Sequence, residues 1–293
     1  MARLLVIGDV VTDVVVHPQG PIASGTDTAS QITIGGGGSG ANTAAWAASN
    51  GANVSFVGRV GADQALWHQQ LLEAVGTHTY LSVDPYRPTS RIVVLIEPNG
   101  ERTMLTDRGT NDGLAVSDID QAALDAAEIV HVSGYTLLFD GPRAAGVHAL
   151  RRAAEARKVT SVDPNSVAFL AQFGVGQFLE LTKGLKLCFP NAEEACLLSG
   201  ERDPVTAACR LNLWYETVVC KLGASGAVVA QHGRVVAQAT AKRATVIDTT
   251  GAGDAFAGGY LSLLGGSETI ESCLDRALTS AAIAVATVGG RPA

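Results

Sequence analysis

The chain has 293 residues, 47% of them hydrophobic and 17% charged, with a formal net charge of −7. That composition supports a sizeable core and argues against a disordered chain. It carries no basic run to suit nucleic acid or an anionic membrane, and no apolar run near the roughly 18–20 residues of a membrane span.

The first element expected is a strand over residues 3–7, RLLVI, an apolar run stopped by Gly8-Asp9 as in strands buried on both faces. One Arg, a short apolar run and then Asp9 and Asp13 do not make a signal peptide. Residues 11–34 carry alternating or β-branched pieces around the loop PQGPIASG. A Gly-rich turn follows, IGGGGSGAN over 34–42, then helix-forming residues to 50 and a strand and turn in NVSFVGRVG. Residues 91–106 read as two β runs around Pro98-Asn99-Gly100, a hairpin signal.

From 128 a strand–helix rhythm sets in. EIVHVSG (128–134), VTSVDP (159–164), LKLCFP (185–190) and TVVCKLG (217–223) read as strands. Residues 141–158 and 191–200 read as helices, and the tail supplies two more at about 251–264 and 268–288. Such alternation implies right-handed βαβ units and a parallel sheet covered on both faces. The expected fold class is a three-layer α/β sandwich with a mostly parallel central sheet. It forms one domain over residues 1–293, into which segments 11–34 and 91–106 insert a small β-sheet lid. Five scattered cysteines without a CxxC pair suggest free thiols in a reducing cytoplasm. The six histidines show no metal-ligand spacing; His131, Trp46 and Trp214 read as core.

Two segments carry chemistry. Gly35-x-Gly37-x-x-Gly40 matches a dinucleotide fingerprint, but it follows a lid strand and no acid ends a second strand about twenty residues on. The glycines instead let backbone approach a ligand at a helix N-terminus, beside Asn42. The second segment is DTTGAGD, Asp248–Asp254, between a strand-like run and a helix. The amides of Gly251, Ala252 and Gly253 would lie in a first helical turn, where an anion is favoured. Asp254 is placed to accept a proton from a hydroxyl while those amides hold a transferring phosphoryl group.

These segments, GGGGSGAN…GRVGAD early and DTTGAGDAFAGG late, resemble the two signature regions of the ribokinase-like (PfkB) carbohydrate kinases. PNGERT, Pro190-Asn191-Ala192-Glu193-Glu194 and Lys221-Leu222-Gly223-Ala224-Ser225-Gly226 extend the resemblance over nearly the whole chain. It implies an ATP-dependent kinase acting on a hydroxymethyl group of a sugar or sugar derivative, with Asp254 as base and residues 251–253 as anion hole. Asp13, Gly37, Gly38 and Asn42 would grip the acceptor. Asn191, Lys221, Gly223 and Gly226 would meet the nucleotide, and Glu194 would act on Mg²⁺ indirectly. Asp248 and Thr250, with the loop near Gly289, would border K⁺ in members that bind it.

Departures from the family pattern put ribose in doubt: Val11 replaces an Asn, Tyr135 a Glu and Ser39 a Lys. Arg91 is a candidate for meeting a carboxylate or phosphate on the acceptor, and Tyr86 and Tyr135 for stacking on a sugar or base. The alternatives are a nucleoside kinase of the same family and a non-catalytic sugar or nucleotide sensor. The lid segments lack Phe, Tyr and Trp, which leans towards a sugar. Where such kinases continue with another helix, this sequence stops at Ala293, so a less enclosed nucleotide or cation pocket is expected. A homodimer is implied by resemblance, and neither a nucleic acid nor a membrane as partner.

Overall fold

The computed structural model describes residues 2–96 and 102–292. Its strands, in chain order, are β1 (Arg3–Ile7), β2 (Val11–Pro18), β3 (Ser30–Gly37), β4 (Asn53–Gly61), β5 (Thr77–Asp84) and β6 (Ser90–Ile96). There follow β7 (Arg102–Asp107), β8 (Ile129–Ser133), β9 (Val159–Asp163), β10 (Leu187–Cys188), β11 (Thr217–Lys221), β12 (Ala227–Gln231) and β13 (Arg234–Ala239). Among the described residues, nine of these make one sheet in the order β13-β12-β11-β10-β9-β8-β1-β4-β5. From β5 to β11 every pairing is parallel; β12 and β13 join antiparallel at one edge.

The parity of β1 shows how the layers arise. Leu5 and Ile7 face one core with helices Asp140–Glu155, Val175–Thr182 and Pro204–Leu211. Leu4 and Val6 face the other, with Ser39–Ser49, Ala252–Leu263 and Ile270–Val285. Alternate residues point to opposite faces, so a strand apolar at every position needs helices on both sides. Helix Asp140–Glu155 answers with Ala145, Ala149 and Ala153 at every fourth position, all buried.

The two inserted segments do form a separate sheet, of order β3-β2-β6-β7. Its faces differ. Val11, Asp13 and Val15 of β2 share the inner face with Ser90, Ile92 and Val94, and with Met104 and Thr106. The outer face carries Val14, Ile34, Val93 and Leu105 in one row and Val16, Ile32 and Leu95 in the next. Ile32, Ile34 and Leu105 on that outer face are exposed. The turn expected at Pro98-Asn99-Gly100 lies outside the described residues.

Several boundaries differ from the sequence reading. The first helix begins at Ser39 rather than 42, and Gly134 opens a short helix, Gly134–Leu138, instead of closing a strand. Strand 185–190 shrinks to Leu187–Cys188. The hairpin β12–β13 was not expected; His232 (φ 52°) and Gly233 (φ 74°) turn it, both with the positive φ of a type I′ turn. The five cysteines are free, His131 is buried against Ser161, and Trp46 lies in the core. Among the described residues no helix is long and apolar enough to cross a membrane.

Candidate active site

A cavity of about 1110 Å³ lies between the C-terminal ends of the parallel strands and the inner face of the small sheet. Pockets for one small molecule run to roughly 300–1,000 Å³, so there is room for two reactants. Carboxyl ends of parallel strands are where α/β sheets bind ligands. Here the ends of β1, β9 and β11 bring Asp9, Asp163 and Lys221 to the cavity wall.

Both Gly-rich segments form tight corners at this wall. Gly38 turns β3 into helix Ser39–Ser49 at φ +96°, and a Cβ there would meet the Asp9 carbonyl oxygen at 2.5 Å. Asp9 caps that helix from β1: its carboxylate accepts from the Ser39 amide (2.8 Å), the Gly40 amide (3.2 Å) and Ser133 Oγ (2.9 Å). Gly251 takes φ +71° ahead of helix Ala252–Leu263, with Gly290 Cα 2.6 Å from where its Cβ would stand. The dinucleotide pattern at 35–40 thus ends a strand of the small sheet, outside any βαβ unit.

Thr250, Gly251, Ala252, Gly253 and Asp254 all line the cavity at this helix N-terminus, which offers first-turn amides and a positive dipole end. Asp254 Oδ1 accepts from Ser39 Oγ (2.7 Å) and Oδ2 from Asn42 Nδ2 (2.9 Å). Burial pushes its carboxyl up to about 7, the two hydrogen bonds opposing and Asp163 and Asp9 adding. A carboxyl poised there can receive a hydroxyl proton near neutral pH.

On the lid side, Asp13 is buried and lines the cavity, its carboxylate packed on Gly37, where a Cβ would stand 2.1 Å from Oδ2. Burial raises its carboxyl to about 7; Arg291 pulls it down, while Asp9 and Asp248 push it up. Arg291 donates Nη2 to the Gly37 carbonyl (2.7 Å), and its buried Nε and Nη1 find no hydrogen-bond partner among the described residues. Burial lowers the Arg291 guanidinium to about 10, with Asp13 and Asp9 opposing. The tail bearing Arg291 is tied down by Trp46 Nε1 donating to the Gly290 carbonyl (2.9 Å). Asp248 accepts from the Thr250 amide (2.8 Å) and the Gly289 amide (3.0 Å).

Arg91 needs correcting as an acceptor contact. Its neighbours Ser90 and Ile92 line the cavity, so alternation turns Arg91 to the outer face, where it pairs with Asp63 at 2.8 Å. Asp63, from GRVGAD, also accepts from the Thr89 amide and hydroxyl, both at 3.0 Å, and pins the start of β6. Gly37 does not line the cavity either; it is the floor beneath Asp13. Tyr135 does line it, its phenol pushed well up by burial and then by Asp9 and Asp254, whereas Tyr86 is 94% exposed.

On the opposite side, Asn191, Glu194, Lys221, Gly223 and Gly226 line the cavity together. Asn191 and Glu194 form a capping box on helix Ala192–Ser199, each side chain accepting the other's amide at 2.8 Å. Burial, then Asp163, raises the Glu194 carboxyl to about 7. Lys221 Nζ pairs with Asp163 Oδ2 at 2.5 Å and lies 3.4 Å from where a Cβ of Gly253 would be. Burial alone would lower the Lys221 ammonium, but Asp163 and Glu194 overcome it and keep the group charged.

Asp9, Asp163 and Asn165 were not singled out from the sequence. Asn165 Nδ2 donates to Ser39 Oγ (2.7 Å), and its Oδ1 accepts from the Gly134 amide (2.6 Å) and Ser133 Oγ (3.0 Å). It holds φ +68°, uncommon outside glycine. The chain Asn165–Ser39–Asp254 therefore orients the last carboxylate. The available signal was Asp163-Pro164-Asn165 at the C-terminal end of a parallel strand.

Comparison with known proteins gives the family and the fold. The family profile for pfkB family carbohydrate kinases matches residues 1–293. A fructokinase from Klebsiella pneumoniae is 29% identical, covering 89% of this chain and 83% of that protein. An aminoimidazole riboside kinase from Salmonella typhimurium is 30% identical, covering 99% and 88%. Among solved structures, adenosine kinase from Sinorhizobium meliloti superposes with a TM-score of 0.89 at 25% identity, covering 99% of this chain and 96% of that one.

Proposed function

The chain belongs to the pfkB family of carbohydrate kinases, and we propose that this ATP-dependent kinase phosphorylates a hydroxymethyl group of a sugar or sugar derivative with Asp254 as base. The carrying observation is Asp254 at a helix N-terminus, its two oxygens held by Ser39 and Asn42. The acceptor hydroxyl gives its proton to Asp254 as the oxygen attacks the γ-phosphorus and ADP leaves. The amides of 251–253 and the Lys221 ammonium meet the charge of the moving phosphoryl group. Asp13, whose carboxylate faces the cavity, holds acceptor hydroxyls with Gly38 and Asn42. Asn191, Gly223 and Gly226 border the nucleotide. Lid segments 11–34 and 91–106 belong to the same domain and close over the acceptor, keeping water from ATP.

Among the described residues no group of three His, Cys, Asp or Glu is placed to hold a metal ion. Glu194, at the cavity wall, fits a Mg²⁺ carried on nucleotide phosphates and reached through water, where the ion would neutralise phosphate charge. Asp248 and Thr250 would border K⁺. The exposed apolar rows on the outer lid face support a homodimer built by lid-to-lid packing. A cytoplasmic location fits the free thiols.

Asp254→Asn tests the assignment by coupled ADP release. Loss of a general base lowers kcat by about 10²–10⁴, while ATP affinity stays near wild type. Equal turnover in the variant and the wild type would remove Asp254 from this role.

A further inference from the structure

The acceptor half of the cavity is two-ended. One end is polar, with Asp9, Asp13, Asn42 and Asp254. Beyond it, the lid presents Ile92, Val94 and Met104, and the facing wall presents Tyr135, Phe139 and Phe169. The three rings pack edge to face, Phe139–Phe169 at 4.9 Å and Tyr135–Phe169 at 6.1 Å between centroids. Arg108 lays its guanidinium over Phe139, 3.5 Å from the ring centroid, and is paired through Nε with Asp112 at 2.6 Å. This wall is distinct from the nucleotide side, where the helix Ile270–Val285 contributes only Leu278, Ala281, Ala282 and Val285.

A free sugar offers hydroxyls around its whole rim and would leave this apolar end filled with water. A sugar acid or sugar phosphate would bring a negative charge to a region whose carboxylates, Asp9, Asp13 and Asp254, face the acceptor. Arg108, the cation that lies against these rings, is already paired with Asp112. A neutral molecule with hydroxyls at one end and a flat ring at the other satisfies both ends.

We propose that the acceptor is of the nucleoside class, a sugar bearing a planar heterocycle, with the heterocycle between the lid's Ile92–Val94–Met104 face and the Phe139–Phe169 wall. The inference rests on the kinase reading above and narrows its acceptor. The sequence alone leans the other way because the lid segments hold no aromatic residue; the rings come from loops and helices after β8 and β9. Stacking on an aromatic side chain discriminates bases weakly but adds affinity for any of them. Arg108, stacked over the Phe139 ring, puts its own flat guanidinium face on that wall, with Phe139 behind it.

The test compares matched acceptors under Mg·ATP, scored by ADP release. The panel is ribose, adenosine, inosine, uridine, fructose 6-phosphate and 2-keto-3-deoxygluconate. At least one riboside should exceed ribose and both anions in kcat/KM by tenfold or more. Phe169→Leu and Phe139→Leu keep apolar bulk against the core. Each should lower the riboside-over-ribose preference roughly 5- to 100-fold, the span of one stacking contact, with melting temperature showing that each variant is folded. Turnover of a free sugar, sugar acid or sugar phosphate at least equal to the ribosides would overturn the proposal and leave the kinase reading standing. Equal losses for riboside and ribose in the Leu variants would also overturn it. Silence across the panel from a folded enzyme that binds ATP would overturn both readings.

Discussion

Replacing Arg291 by Met should weaken acceptor binding in a strongly pH-dependent way. The guanidinium and the Asp13 carboxylate both touch Gly37, one at its carbonyl (2.7 Å) and one at its Cβ position (2.1 Å). The dimensions of a single residue then keep the two charges within about 8 Å. At an effective dielectric of about 20, that separation is worth roughly 2 kcal/mol, or about 1.5 pKa units. The Asp13 carboxyl sits at about 7 with Arg291 as the counter-charge that lowers it, so it is half ionised at pH 7. An upward shift of about 1.5 units leaves about 3% ionised at pH 7 and about three quarters at pH 9. If the carboxylate form binds acceptor hydroxyls, acceptor KM rises about 16-fold at pH 7 and less than about 2-fold at pH 9. The assay is acceptor KM from pH 6 to 9, with ATP KM as the internal reference. Arg291→Lys, which keeps the charge, should restore most of the profile. The variant should still fold, because Met removes two buried donors that have no partner. An acidic limb at the same pH in the variant and the wild type would refute the coupling.

Other outcomes follow from the same geometry. Asp254→Asn should stabilise the nucleotide-free protein at pH 8 by about 1–3 kcal/mol, read as a higher Tm. The sign follows from the raised carboxyl: stability is full below the unfolded pKa and is lost as pH rises towards about 7. The gain should therefore vanish near pH 4, and an unchanged Tm at pH 8 would count against a carboxyl held up by burial. Asn165→Ala frees Ser39 Oγ and the Gly134 amide, so kcat should fall about 10-fold, the loss of one orienting hydrogen bond of roughly 1–2 kcal/mol; full activity would make Asn165 a bystander. Leu105→Glu puts a charge into the outer lid rows and should yield monomers by sedimentation velocity, whereas an unchanged mass would place the subunit contact elsewhere.

What the sequence disclosed depended on range. The strand–helix rhythm and the two Gly-rich corners are local patterns, and the structure has them within a few residues. The lid was visible as alternation without helices. Arg91 shows the limit of that reading: alternation says that residues 90, 92 and 94 share a face, but not which face looks inward until Asp13 and the cavity fix it. The β12–β13 hairpin escaped because its turn, His232-Gly233, is not one of the Asn-Gly or Asp-Gly pairs that mark a type I′ turn. The contacts Lys221–Asp163, Asn165–Ser39 and Arg291–Gly37 join residues 58, 126 and 254 positions apart. No periodicity reports such pairs. Lys221–Asp163 exists because the parallel sheet gathers its strand ends along one edge; the other two meet at the corner where β3 of the small sheet runs into helix Ser39–Ser49.

The reach of Gly289–Arg291 across to Asp248, Trp46 and Gly37 also bears on how the protein is made. Ribosomes add about 5–20 residues per second, so residue 290 follows the first strand by roughly 15–60 s. Throughout that interval a nascent chain carries Asp13 and Asn42 without the segment that seats Gly251 and backs Gly37. The phosphate corner and the acceptor floor therefore wait for the same late residues and are completed together.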